Sequence, residues 1–210
     1  MTDSNFTETL RKLRYVPVIE LDDVANAVPL AEALVAGGVG AIEVTLRTDA
    51  GLHGIAQIAR AQVPILCGAG TVINAKQAQD VFGAGAQFAV SPGYTAALGQ
   101  KCRELRLPLV PGAVTPSEVM KLLDEGYEAL KFFPANTYGG VGWLKAIRGP
   151  LPQAQFMATG GIKDEDMPSY WEQPNLLAVG SSSVASAELI RARAWNEITA
   201  RAKAVMARAA

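Results

Sequence analysis

Short β-like runs and helix-like stretches alternate along this chain from one end to the other. After an opening amphipathic helix at 5–14, with Phe6, Leu10 and Leu13 on one face, β-like runs are expected at 16–19, 41–46, 63–67, 87–90, 107–110, 127–134, 155–158 and 176–179. Helical patterns fall between them: from Asp22 to Gly37-Gly38, 52–61, 74–82, a stretch ending at Leu105, 115–125, around 143–147, and 163–171. One long helix is expected from about residue 185 to the C-terminus. Some boundaries carry their own chemistry. Asn74 reads as an N-cap and Gly83 as a terminator, while Pro116 in a first turn and Glu118 nearby match a capping box.

Eight β-then-α units joined by short connections imply parallel strands with the helices outside. A spacing of ~22–25 residues favours closure into an α/β (β/α)8 TIM barrel, here with a short N-terminal helix. The 210 residues then form a compact single domain over 1–210, with short loops. The alternative is an open doubly wound sheet. Against it, the first strand runs into Glu20-Leu21-Asp22-Asp23 with no Gly-x-Gly-x-x-Gly, and glycine clusters follow strands three, four, five, seven and eight, as loops around one mouth would.

Composition narrows the function classes. A chain that is 50% hydrophobic and 19% charged, with net charge −1, is globular and presents no broad field for nucleic acid or a membrane surface. The uncharged run 81–100 approaches the length of a membrane span, but Gly83, Gly85, Pro92, Gly93 and Gly99 break it. Cys67 and Cys102 lack metal-ligand spacing, and the first residues do not resemble a secretory signal, so reduced thiols in the cytoplasm are expected. His53 falls in a helical stretch away from the inferred mouth, Asp164-Glu165-Asp166 reads as a solvated first turn, and Trp143, Trp171 and Trp195 read as packing residues on outer helices. No His/Cys/Asp cluster suggests a metal.

Chemistry concentrates at Tyr127-Glu128-Ala129-Leu130-Lys131-Phe132-Phe133-Pro134. An ammonium among apolar neighbours is costly and sheds its proton more readily, which makes a nucleophilic amine; the bland reading is a strand-end lysine reaching to solvent. On the second strand Glu43, Thr45 and Arg47 share one parity, so they would line the barrel interior, with Ile42, Val44 and Leu46 facing the helices. Arg47 suits a carboxylate, and a buried Glu43 suits proton transfer, whereas the structural account is an internal ion pair. Thr71, Ser91 and Thr115 offer hydroxyls near the same mouth, although each also suits a cap or turn. Thr159-Gly160-Gly161 and Gly180-Ser181-Ser182, each expected to precede a helix, suit phosphate, the alternative being tight strand-to-helix packing.

Taken in order, these motifs resemble the bacterial 2-keto-3-deoxy-6-phosphogluconate (KDPG) aldolases, which also act as 4-hydroxy-2-oxoglutarate aldolases. The resemblance runs from about Val16 to Ser182 and rests on Val16-Pro17-Val18-Ile19, Ala36-Gly37-Gly38-Val39, Ile42-Glu43-Val44-Thr45-Leu46-Arg47-Thr48, Gly68-Ala69-Gly70-Thr71-Val72, Ser91-Pro92-Gly93, Lys131-Phe132-Phe133-Pro134-Ala135 and Thr159-Gly160-Gly161-Ile162. It implies a class I lyase that needs no metal or other cofactor, because Lys131 itself forms a covalent imine with substrate. It implies Glu43 as general acid/base; Arg47, Thr71 and Pro92 around the carboxylate end of pyruvate; Phe133 beside the imine; Thr159 at the stereochemical choice; and Gly160, Gly161 and Ser182 at the phosphate. The partners implied are pyruvate and a phosphorylated keto-deoxy sugar acid, with a homotrimer as the assembly. The chain departs from the family at Gly180-Ser181-Ser182, where Gly-Gly-Ser is common, which leaves Ser181 and Ser182 both available to the phosphate. Rival readings are an aldolase for the galactonate epimer and a non-catalytic phosphosugar-binding barrel.

Overall fold

The computed structural model describes residues 3–209; positions 1, 2 and 210, included in the expected single domain and C-terminal helix, lie outside it. Among the described residues there are eight strands: β1 Arg14–Ile19, β2 Ala41–Thr45, β3 Leu66–Gly70, β4 Phe88–Val90, β5 Leu109–Val110, β6 Ala129–Phe132, β7 Gln155–Thr159 and β8 Leu176–Ser181. The helices are α1 Asp3–Leu13, α2 Ala27–Ala36, α3 Asp49–Arg60, α4 Ala75–Gly83, α5 Ala96–Leu105, α6 Pro116–Asp124, α7 Gly140–Arg148, α8 Met167–Trp171, α9 Ala187–Arg191 and α10 Trp195–Ala209.

All strand pairs are parallel in the order β5-β4-β3-β2-β1-β8-β7-β6. The ends of that order meet just past β5, where Lys131 N–H donates to Pro111 O at 2.8 Å and Ala113 N–H to Lys131 O at 3.0 Å. The result is the expected (β/α)8 barrel, so the open-sheet alternative falls.

Side-chain alternation sorts the core into two groups. Ile42, Val44, Leu130, Phe132, Phe156 and Ala158 point outward into the shell shared with the helices. Val16, Ala41, Phe88, Val90, Val110, Ala129 and Met157 pack inside the barrel, with Phe6 and Leu10 of α1 among them. The Phe6 and Phe88 rings lie 5.3 Å apart, and Arg11 donates to Gln155, so α1 plugs the end of the barrel where the strands begin. The three tryptophans pack against the shell as expected, with Trp143 stacked on Phe132 at 4.1 Å.

Local chemistry explains several helix starts. Asn74 caps α4 by accepting from Gln77 N–H at 2.9 Å, and Thr115 with Glu118 forms the expected capping box on α6. Four expectations need correction. The first helix after β1 begins with a 3-10 turn, Val24–Asn26, before α2. β3 starts three residues later than expected and includes Gly68, Ala69 and Gly70, because a side chain at Gly68 would meet the Phe88 ring. α4 runs through Gly83 and the left-handed turn falls at Gly85. The long C-terminal helix is broken: the turn Ser183–Ala185 and α9 precede α10, with Arg193 at φ 52 between them.

Candidate active site

Strand pleat and register stack the predicted residues in two levels at the C-terminal end of the barrel. On β2, Glu43 and Thr45 face inward, and Glu43 is completely buried. On β6, Lys131 pairs with Met157 of β7, one pleat below Thr159. Lys131 is 4% exposed, and its ammonium lies 3.2 Å from Glu43 Oε1. The strand-end lysine reaching to solvent is therefore excluded. The surroundings are also not the all-apolar sleeve anticipated: Leu130 and Phe132 point away into the shell, while Nζ faces a carboxylate and the Phe133 ring, 5.2 Å from its centroid.

The lower level has little spare volume, and glycine creates what there is. A side chain at Gly70 would strike the Glu43 carboxylate, and one at Gly180 would strike Thr159 Oγ1. Thr45 Oγ1 is engaged with Ile19 O at 3.0 Å. Two polar atoms remain without a partner in this buried place: Glu43 Oε2 and Thr159 Oγ1. Unpaired polar atoms at this depth are costly unless a ligand or solvent group meets them.

Above them opens a cavity of about 800 Å³, lined by Arg47, Phe133, Thr159, Gly160, Gly161 and Ser182 among others. Arg47 lies beyond the end of β2, because the strand stops at Thr45; it reaches Glu20 at 3.8 Å and is half exposed. The internal pair weighed from sequence is thus Glu43 with Lys131, and Arg47 is left at the rim. Thr71 sits just past β3 in a left-handed conformation (φ 59), and Pro92 is exposed after β4. Neither lines the large cavity. Pro92 and Phe133 share a second one of about 140 Å³, so Phe133 forms the wall between the two.

The phosphate-side turns differ from expectation. No helix starts directly after Gly161. Gly160 and Gly161 adopt φ 106 and 73, which side chains rarely tolerate, and α8 begins only at Met167. A side chain at Gly160 would also approach Pro134 Cα to 2.9 Å, next to the cis Phe133–Pro134 peptide. Gly180 and Ser181 belong to β8, and Ser182 leads into the three-residue turn Ser183–Ala185. Asp166 is the residue before α8, and Asp164 and Glu165 lie in the preceding turn, so the acidic run precedes the helix instead of opening it.

Sequence reasoning passed over Asn136 and Glu20. Asn136 accepts from Tyr170 Oη at 2.7 Å, its side-chain amide donates to Gly161 O, and its N–H donates to Gly160 O at 3.1 Å. It ties the loop after β6 to the Gly-Gly turn, and no periodicity reveals a bond across 25 residues. Glu20 could have been found from its place directly after β1 at the mouth. His53 is exposed on α3, and among the described residues no group of three or more His, Cys, Asp or Glu could hold a metal ion.

A buried lysine–carboxylate pair beneath a polar, glycine-walled mouth can carry amine chemistry on a carbonyl compound. Comparison with known proteins agrees. A family model described as KDPG and KHG aldolase matches residues 6–201. The 2-dehydro-3-deoxy-phosphogluconate aldolase of Pseudoalteromonas atlantica is 46% identical over 195 residues, covering 93% of this chain and 91% of that protein. The KHG/KDPG aldolase of Escherichia coli K12 is 44% identical over 184 residues, covering 88% and 86%. The crystal structure of the Legionella pneumophila KDPG aldolase, with pyruvate captured as a covalent carbinolamine intermediate, superposes with a TM-score of 0.93 at 40% identity, covering 98% of each chain. The chain belongs to the KDPG and KHG aldolase family.

Proposed function

We propose that this protein is a class I aldolase, a lyase that cleaves KDPG to pyruvate and glyceraldehyde 3-phosphate and 4-hydroxy-2-oxoglutarate to pyruvate and glyoxylate. The observation that carries the reading is the 3.2 Å contact between Lys131 Nζ and Glu43 Oε1, buried under the mouth, with Glu43 Oε2 unpaired. Family membership and the relatives' names support the substrates.

Glu43 takes a proton from the Lys131 ammonium. The free amine attacks the C2 ketone, water leaves the carbinolamine, and a protonated imine forms. Glu43 passes on its proton and then takes the one from the C4 hydroxyl. The C4–O electrons form the aldehyde carbonyl, the C3–C4 bond breaks, and its electron pair moves into the imine to give an enamine. Protonation at C3 and hydrolysis release pyruvate and restore Lys131. Arg47 holds the substrate carboxylate from the rim, so that C2 meets the amine in a reactive pose, and the family resemblance assigns Thr71 and Pro92 to the same end of the substrate. Phe133 packs beside the imine, Thr159 Oγ1 meets the hydroxyl at the new stereocentre, and Gly160, Gly161 and Ser182 take the distal phosphate.

The imine is the electron sink, so the mechanism calls for no metal, and turnover should survive a chelator. The chain acts as one barrel unit, and the family resemblance supports a homotrimer working in the cytoplasm; sedimentation equilibrium reads the assembly. No helix among the described residues is long and apolar enough to cross a membrane. Incubation with pyruvate and borohydride, followed by peptide mapping, tests the core of the proposal. A reduced adduct on Lys131 is expected; a pyruvate-treated protein with no such adduct removes the imine and leaves a sugar-phosphate-binding barrel.

A further inference from the structure

The turns assigned to the phosphate offer N–H and O–H dipoles but carry no charge of their own, whereas a phosphate monoester brings nearly two negative charges. Among the described residues lining the large cavity, the cations are Arg47 and Lys163. They stand on different walls: Arg47 follows β2 and is turned toward Glu20, while Lys163 comes two residues after Gly161, on the Gly-Gly side.

The groups around Lys163 leave its charge free to move. Its ion-pair partner is Glu165 at 3.9 Å, with the two side chains 73% and 72% exposed. An ion pair so long and so wet holds its partners only weakly. The other acids on that wall have cations outside the cavity: Asp164 lies 4.0 Å from Arg208, and Glu188 lies 3.9 Å from Arg191. Those pairs are as long as that of Lys163, and Asp164 Oδ1 has no hydrogen-bond partner, so the acids there are loosely held; a phosphate entering beside Gly160, Gly161 and Ser182 finds one flexible ammonium in reach, with Glu165 as the acid it must displace.

We propose that Lys163 is a specificity-determining residue that exchanges Glu165 for the phosphate of KDPG and so sets the preference for phosphorylated over unphosphorylated substrates. The proposal rests on the aldolase reading above and goes beyond it, because that reading assigns no cation to the phosphate. In 4-hydroxy-2-oxoglutarate the distal carboxylate sits directly on C4, so it ends near Thr159, short of the Lys163 wall.

The test is steady-state pyruvate release from both substrates by the wild type and by Lys163→Gln, Lys163→Arg and Glu165→Gln. Lys163→Gln should raise the KM for KDPG about fivefold to tenfold, the scale of one solvent-facing charge on a phosphate, with kcat held. The KM for 4-hydroxy-2-oxoglutarate should move by under about twofold, because Debye screening weakens a charge at that remove. Lys163→Arg should restore most of the KDPG affinity, and Glu165→Gln should lower the KM for KDPG by removing the competitor. An unchanged KM for KDPG in Lys163→Gln, or an equal rise on both substrates, overturns the proposal. A wild type that cleaves neither substrate and gives no borohydride adduct overturns the aldolase reading instead, and the Lys163 role with it.

Discussion

Gly70→Ala isolates the placement of the Glu43 carboxylate. Gly70 pairs with Thr45 across β2 and β3, and a methyl group there would sit 2.7 Å from Glu43 Cγ and 2.8 Å from Cδ. Ordinary contact begins near 3.4 Å, so Cγ must retreat by about 0.7 Å and Oε1, which lies nearer still to the added methyl, by more than that. The backbone does not resist the change, since Gly70 is not among the positive-φ glycines. Glu43 is fully buried and has no solvent to swing into, so the retreat is taken at its 3.2 Å contact with Lys131. Displacement of a reacting group by about 1 Å costs on the order of 100-fold, so kcat should fall roughly 10-fold to 100-fold. Overpacking costs about 1–3 kcal/mol, which in a chain of this size lowers Tm by roughly 2–12 °C, too little to unfold the barrel at room temperature. Coupled pyruvate release measures the first effect and a thermal melt the second. Gly83→Ala is the control, because no atom lies within 4 Å of a methyl group placed there; it should leave kcat unchanged and gain a little helix stability. A Gly70→Ala enzyme with kcat within about threefold of wild type would refute the argument, since the carboxylate would then either keep its place or not matter to turnover.

Other substitutions probe neighbouring parts of the same construction. Lys131→Met should abolish both turnover and the borohydride adduct and, by leaving Glu43 buried and unpaired, cost about 3–5 kcal/mol in denaturant melts; adding Glu43→Gln should recover stability without activity. Thr159→Val removes a buried hydroxyl that has no partner, so it should be neutral or stabilising by up to about 1 kcal/mol in the same melts while eroding discrimination between the gluconate and galactonate epimers. The Glu118 carboxylate is held below its ordinary range, first by the Val114 N–H it accepts and then by the Thr115 N–H and hydroxyl, against a burial cost. A depressed value means that its contribution is present above the unfolded value of about 4.3 and is lost as pH falls through the folded one, so Glu118→Gln should lower Tm at pH 7 and flatten the loss of Tm below about pH 4.

Much of this was readable in one dimension because the signals are local. Strand parity alone put Glu43 and Thr45 on the inner face, and the caps at Asn74 and Thr115 follow from residues three positions apart. What could not be read depends on partners distant in sequence. Gly68-Ala69-Gly70 has the composition of a loop, yet it is strand, because Phe88 and Glu43 occupy the volume that side chains there would need. Gly160-Gly161 looks like the approach to a helix, but its positive φ values and its ties to Asn136 hold it as an open turn. The surroundings of Lys131 were misjudged for the same reason: its neighbours in sequence are apolar, while its neighbour in space is a carboxylate 88 residues away.

The two ends of the barrel interior follow opposite packing rules, and the difference accounts for where the chemistry sits. Toward the start of the strands, Phe6, Leu10, Phe88 and Met157 fill the lumen, leaving bulk water no route to Lys131 from below. Toward the strand ends the inner positions are small: Gly70 beside Glu43, Gly180 beside Thr159, and Gly112 against the Pro92 backbone. A filled lumen stabilises the fold whether or not there is a site, but glycine on the inner face of a strand forfeits packing and carries an entropic cost. Gly112 answers to backbone packing, as Gly68 does to the Phe88 ring at the filled end, but Gly70 and Gly180 make room chiefly for the Glu43 and Thr159 side chains. Replacing Gly70 or Gly180 should therefore damage turnover before it damages the barrel, whereas a side chain at Gly112 would strain the fold itself.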